Sequence, residues 1–158
     1  MTDLTHFNHQ GEAHMVDIDH KPKTNRIAQA KCRILLKLST LELITQNKIK
    51  KGDVFGIARI AGIMASKQTP SLIPLCHSIL INSASIEFIP LQEPPCIDII
   101  AEVTSSGKTG VEMEALTAVS VSALTIYDMV KSVDRGVIIS ETRLIFKDGG
   151  KSGRFEVA

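Results

Sequence analysis

Asp128 and Lys131 stand three positions apart at the end of a stretch, from Glu112 to Lys131, whose middle is Ala, Val, Leu, Thr and Ser. The stretch reads as one long helix over 111–133, with Glu112 and Glu114 at its start and Asp128 and Lys131 near its finish. A helix with so bare a middle is packed on most of its faces. Charges at both ends of a buried helix are expensive unless paired or used. The spacing puts Asp128 and Lys131 on one face. There they form either a surface ion pair worth about 0–1 kcal/mol or a general acid/base pair. With Pro74-Leu75-Cys76-His77 and Lys50-Lys51-Gly52-Asp53, these groups point to an enzyme.

The remaining motifs carry two readings each. Glu112 and Glu114 favour the positive end of a helix dipole, worth about 0.3–1 kcal/mol. Gly107-Lys108-Thr109 looks like the end of a P-loop, but the glycine required five positions earlier is Glu102. What is left is a helix N-terminus able to bind an anion, or a plain connection. Cys76 and His77 are adjacent and lack partners at metal-ligand spacing, which disfavours a metal site. His77 is then a phosphate or proton-transfer group, or a satisfied polar residue. Lys21, Lys23, Arg26, Lys50, Lys51, Lys108, Lys131, Lys147 and Lys151 fall in loops or at element ends. They are a solvated surface or, gathered, a site for a small polyanion.

Glu114 and Asp128 are separated by about 21 Å along a helix axis, too far for one small-molecule site to use both easily. If both ends serve one chemistry, two chains must share the site, and a homo-oligomer is expected. The Gly- and Ala-rich stretch 53–66 suits tight packing or a subunit interface.

The elements that must hold these groups follow from periodicity. From Ile27, residues Ala28, Ala30, Cys32, Ile34, Leu36 and Leu38 alternate with a mostly polar face, a half-buried strand. Ser39 and Glu42 suggest a capping box on a short helix to about Gln46. Asp53 suggests the N-cap of a helix to about Ser66, ended by Thr69-Pro70. Two alternating runs around Glu93-Pro94-Pro95 form a hairpin. A last strand covers about 141–147. The order is β-α-β-β-α-β, an α+β fold of the ferredoxin-like, split βαβ kind, with helices on one face of an antiparallel sheet. The 158 residues suffice for one domain with a real core. Residues 1–13 read as a mobile arm and 148–158 as a flexible, basic, Gly-rich tail.

Composition narrows the class. A net charge of +1 disfavours a general nucleic-acid binder. The absence of Trp, with one Tyr and five Phe, leaves little with which to stack bases. Three widely spaced cysteines, no apolar leader and no run of ~18 apolar residues fit a soluble cytoplasmic protein.

Several segments together resemble one family. They are Leu4-Thr5-His6, Gly11 to Asp17, Lys51-Gly52-Asp53-Val54, Ala58 to Ile63, Leu72 to His77, Gly107 to Leu116, Tyr127-Asp128-Met129 and Gly149 to Gly153. Over nearly the whole chain they closely resemble the MoaC family. The resemblance implies conversion of a cyclised dihydroguanosine triphosphate to cyclic pyranopterin monophosphate and diphosphate, in molybdenum cofactor biosynthesis. It also implies a ferredoxin-like fold in hexamers built from dimers, with sites at the dimer interfaces. By matching motif, Asp128 and Lys131 are the acid/base pair and Lys51 a catalytic or phosphate-binding lysine. Leu75, Cys76, His77, Glu112, Met113 and Glu114 lie in substrate-contacting segments, and Arg26, Lys147 and Lys151 are triphosphate contacts. No cofactor and no protein-held metal are expected; a magnesium ion would arrive with the triphosphate, since no carboxylate cage is visible. The competing reading is a non-catalytic ferredoxin-like module that binds a nucleotide as a regulator.

Overall fold

The computed structural model describes residues 10–157. The Leu4-Thr5-His6 motif and most of the expected N-terminal arm lie outside the described residues. The chain runs β1 (Thr24–Leu35), α1 (Leu38–Thr45), α2 (Val54–Lys67), α3 (Thr69–Leu72), β2 (Ile81–Gln92), β3 (Pro95–Gly107), α4 (Glu112–Val130), β4 (Ile138–Asp148) and β5 (Phe155–Glu156). The strands form one sheet in the order β2-β3-β1-β4-β5, and every neighbouring pair is antiparallel. Without β5 this is the ferredoxin-like split βαβ arrangement expected from the element order.

Alternation in β1 and β3 builds the core. Ala28, Ala30, Cys32 and Ile34 pair across the ladder with Val103, Ala101, Ile99 and Ile97, and all eight are fully buried. Ala115, Val119, Ala123, Ile126 and Val130 of α4 lie in the same cluster. The odd-numbered face of β1 is polar instead. There Arg33 clasps Asp98 through two hydrogen bonds of 2.6 and 2.8 Å, and Lys31 adds a third contact at 2.8 Å. The Arg33 guanidinium is the main reason the Asp98 carboxyl falls to about 2.

The small residues of α2 are explained within the chain. Ser122 Oγ of α4 donates to the Ala58 carbonyl at 3.0 Å, and a Cβ on Gly62 would overlap Ser122 Oγ and the Ala118 carbonyl. The two helices therefore touch backbone to backbone, the tight-packing alternative.

Three local expectations change. Ser39 and Glu42 form no capping box: α1 begins one residue earlier, at Leu38, and its N-cap Lys37 has no side-chain cap hydrogen bond. Buried Asp134 supplies the missing acceptor, taking the Lys37 amide at 3.0 Å and the Thr40 hydroxyl at 3.1 Å. Thr69-Pro70 does not merely stop α2. It opens α3, where proline suits the first turn. The Gly-rich tail carries β5, whose Phe155 and Glu156 pair with Lys147 and Phe146.

By length and composition α4 is long and apolar enough to cross a membrane, yet half of it is buried in the core. That is the ordinary result for a central helix. Gly62→Ala should cost about 1–3 kcal/mol through overpacking, read as a lowered urea midpoint with an unchanged slope.

Candidate active site

The C-terminal end of α4 holds a compact charge cluster. Asp128 Oδ2 accepts from Lys51 Nζ at 2.8 Å and Oδ1 from Lys131 Nζ at 2.7 Å. Lys51 Nζ also donates to the Asp128 carbonyl at 2.7 Å. Lys51 reaches this point because its loop is pinned on both sides. Ile49 is buried in the core, and Asp53 caps α2 by accepting the Gly56 amide at 2.9 Å. Beyond Lys131, Asp134 takes the Gly136 amide at 3.1 Å and ties the turn to α1. Burial pushes the Asp134 carboxyl up, but its hydrogen bonds outweigh that and hold it low.

The electrostatics of the cluster have one sign. Hydrogen bonds from Lys131 and then Lys51 bring Asp128 down to about 2, and Asp128 in turn raises Lys131. The carboxylate is thus ionised throughout the neutral range and is a weak proton acceptor. The Asp128 carboxylate holds Lys131 in its ammonium form. All three side chains are about half exposed.

The other end of α4 borders a cavity of about 1040 Å³, lined by His20, Lys21, Thr24, Arg26, Lys108, Glu112 and Lys151 among others. Lys147 Nζ bonds Glu112 Oε1 at 2.9 Å and Ser152 Oγ at 3.2 Å. Lys108 Nζ bonds Asp19 Oδ1 at 2.8 Å. Arg26 donates to the carbonyls of Gly149 at 3.1 Å and of Gly107 and Lys108 at 3.4 Å.

In the first turn of α4, Glu114 is 2 % exposed, and its Oε2 has no hydrogen-bond partner. Burial raises its pKa. Cys76 is half-buried; burial and then the Glu114 charge push its thiol up. His77 Nε2 contacts the Val16 carbonyl at 2.7 Å, which ties the chain before β1 to the segment after α3. Leu75 is half-buried and Met113 exposed.

The residues singled out from the sequence thus fall into two groups. Lys51, Asp128 and Lys131 meet at one end of α4. Arg26, Glu112 and Lys151 line the cavity at the other, Lys147 reaches it through Glu112 and Ser152, and Cys76 and Glu114 are close to one another. One chain does not bring the two groups together. Sequence reasoning passed over Asp19, His20, Thr24, Asp134 and Ser152. Of these only Asp134, in Asp-Arg-Gly after a helix, carries a local turn signal. Among the described residues no group of three or more His, Cys, Asp or Glu side chains could hold a metal ion.

A ferredoxin-like domain with a cation-lined cavity of nucleotide size and a separate Asp–Lys–Lys cluster defines a class: an enzyme scaffold for a phosphorylated small molecule. Residues 15–150 match the model of the MoaC family. The chain is 54 % identical over 156 residues to the cyclic pyranopterin monophosphate synthase of Dinoroseobacter shibae, covering 99 % of each chain. It is 51 % identical over 158 residues to the synthase of the same name from Cereibacter sphaeroides, covering 100 % of this chain and 99 % of the relative. A third, from Desulforamulus reducens, is 54 % identical over 155 residues, covering 98 % and 94 %. The chain belongs to the MoaC family.

The buried Glu114 carboxyl, with one oxygen unpartnered, gives a pH signature. Its folded pKa lies above the ordinary 4.5, so its contribution to stability is present below that value and is lost as pH rises through the folded pKa. Glu114→Gln should remove this loss. Relative to the parent, the variant gains stability in urea titrations as pH rises above the ordinary value of 4.5; an unchanged pH dependence would contradict the assignment.

Proposed function

We propose that the chain converts 3',8-cyclo-7,8-dihydro-GTP to cyclic pyranopterin monophosphate with release of diphosphate, as a lyase of molybdenum cofactor biosynthesis. The observation that carries this is the pairing of one ionised carboxylate with two lysines, 2.7–2.8 Å away, in a chain half identical to synthases of that name. Opening the five-membered ring of the purine and closing a pterin ring needs several proton transfers. Lys131 and Lys51 supply the amines, and Asp128 fixes where they point. Expulsion of diphosphate builds negative charge. Lys147, Lys151 and Lys108 are the cations beside the cavity that would meet it, while Arg26, already bonded to main-chain carbonyls, holds the loops that carry Lys108 and Lys151; a magnesium ion would enter on the triphosphate. Cys76, His77, Leu75, Glu112, Met113 and Glu114 would hold the base and sugar.

The site is completed between two copies. Met113, Leu124 and Lys131 fall within about 20° of one line along α4, and Leu124 is 59 % exposed. On α2, Ile60 and Met64 are each 61 % exposed. A two-fold axis across this outer face would set the Asp128 end of one α4 against the Glu114 end of the other, the self-complementary contact of an isologous dimer. Three such dimers would make the hexamer, working in the cytoplasm without nucleic-acid or membrane partners.

Phosphorus NMR of the protein mixed with the cyclised dihydro-GTP tests the reading. Diphosphate and a cyclic phosphate signal should appear together. Asp128→Asn should slow their appearance by at least about 10²-fold while binding persists. A protein that binds the compound and leaves it intact would be a regulatory module, with Asp128 and Lys131 reduced to a surface ion pair.

A further inference from the structure

Arg26 stands apart from the other cations around the cavity. Lys108, Lys147 and Lys151 end in ammonium groups, whereas the guanidinium of Arg26 is already engaged by main chain on two separate loops. Its Nε and Nη2 donate to the carbonyls of Gly107 and Lys108, before α4, and its Nη1 to the carbonyl of Gly149, after β4. Three of the five N–H directions of an arginine fork are therefore turned to backbone oxygens.

The loop after β4 is shaped around this group. A Cβ on Gly150 would overlap Arg26 Nη1, and one on Gly149 would overlap the Asn25 carbonyl. Both glycines have positive φ, +102° at Gly149 and +76° at Gly150. The double glycine thus lets main chain close over the guanidinium. The two clasped loops carry two of the cavity's lysines. Lys108 is on the first, Lys151 and Ser152 on the second, and Ser152 in turn accepts from Lys147.

We propose that Arg26 is a positioning residue: a clasp that fixes the spacing between the two lysine-bearing walls of the cavity. The functional part rests on the phosphate-binding reading of that cavity. Lysine cannot replace this arginine, because a single strongly hydrated ammonium does not reproduce a planar fork aimed at three carbonyls. Charge at position 26 is then secondary to shape.

The test uses the full-length oligomer, inorganic triphosphate as the probe in calorimetry, and hydrogen exchange of residues 107–111 and 149–153. Arg26→Lys and Arg26→Ala should weaken triphosphate to the same extent, by about tenfold or more, since small misplacements of binding groups are costly. Gly150→Ala changes no charge and should do likewise. Gly153→Ala is the control. Its backbone is also left-handed, at φ +66°, but a Cβ there meets nothing within 4 Å, and it should leave affinity within a few-fold. In the Arg26 and Gly150 variants both loops should lose exchange protection together. With the complete substrate, KM should rise more than kcat falls. Recovery of affinity in Arg26→Lys, silence of Gly150→Ala, or retained protection in either loop would overturn the clasp. If the parent protein fails to bind triphosphate, the phosphate reading of the cavity falls, and the exchange comparison alone decides the clasp.

Discussion

The length of one rigid helix governs this molecule. α4 is central and buried along the side that faces β1, β3 and α2, so the groups at its two ends are held about 21 Å apart. No side-chain rearrangement closes such a gap. A reaction that needs the Asp128 cluster and the cation-lined cavity together must take them from different copies of the chain. The exposed apolar side chains of α2 and α4 lie on the outer face of the same helical layer. On the proposed reading, this surface, otherwise a liability, is where two copies would meet.

The two ends are built on opposite electrostatic logic. At one, a carboxylate is over-supplied with cations, which hold its pKa well below the usual carboxylate range. At the other, Glu114 is buried with one oxygen unpartnered, and burial drives it toward its neutral form. Environments that push two carboxyls in opposite directions are the usual way one site gains both a fixed charge and a proton reservoir at neutral pH. Glu112 takes a third course and remains paired with Lys147, which seats the β4 end against the first turn of α4.

Much of the scaffold is legible in the sequence. The alternation of Ala28 to Ile34 identifies the buried face of β1 because side chains along a strand alternate strictly. The Asp53 cap of α2 is equally plain. The tight approach of α2 to α4 is written in Gly62 and Ala58. What is not legible is held by the backbone or by distant contacts. The Asp134 carboxyl caps α1 from more than ninety positions away, and no local box can show that. β5 is two residues long and pairs with the edge of β4, too short for any period. Arg26 reads as one more surface cation, because its partners are carbonyls that every residue possesses. The link from Lys51 to Asp128 crosses 77 positions. Spacing alone joins Asp128 only to Lys131, and the family resemblance supplied the third member.

The sharing of one site between two copies is the central claim, and subunit complementation tests it most directly. Asp128→Asn and Lys147→Ala chains, each inactive alone, are co-expressed under different tags, and the mixed oligomer is purified on both. If the two ends of α4 act in different copies, a mixed dimer carries one intact site and one doubly damaged site. Random pairing should then restore roughly a quarter of the parent turnover. Mixed oligomers as inactive as either variant would contradict the shared site and return all the chemistry to a single chain.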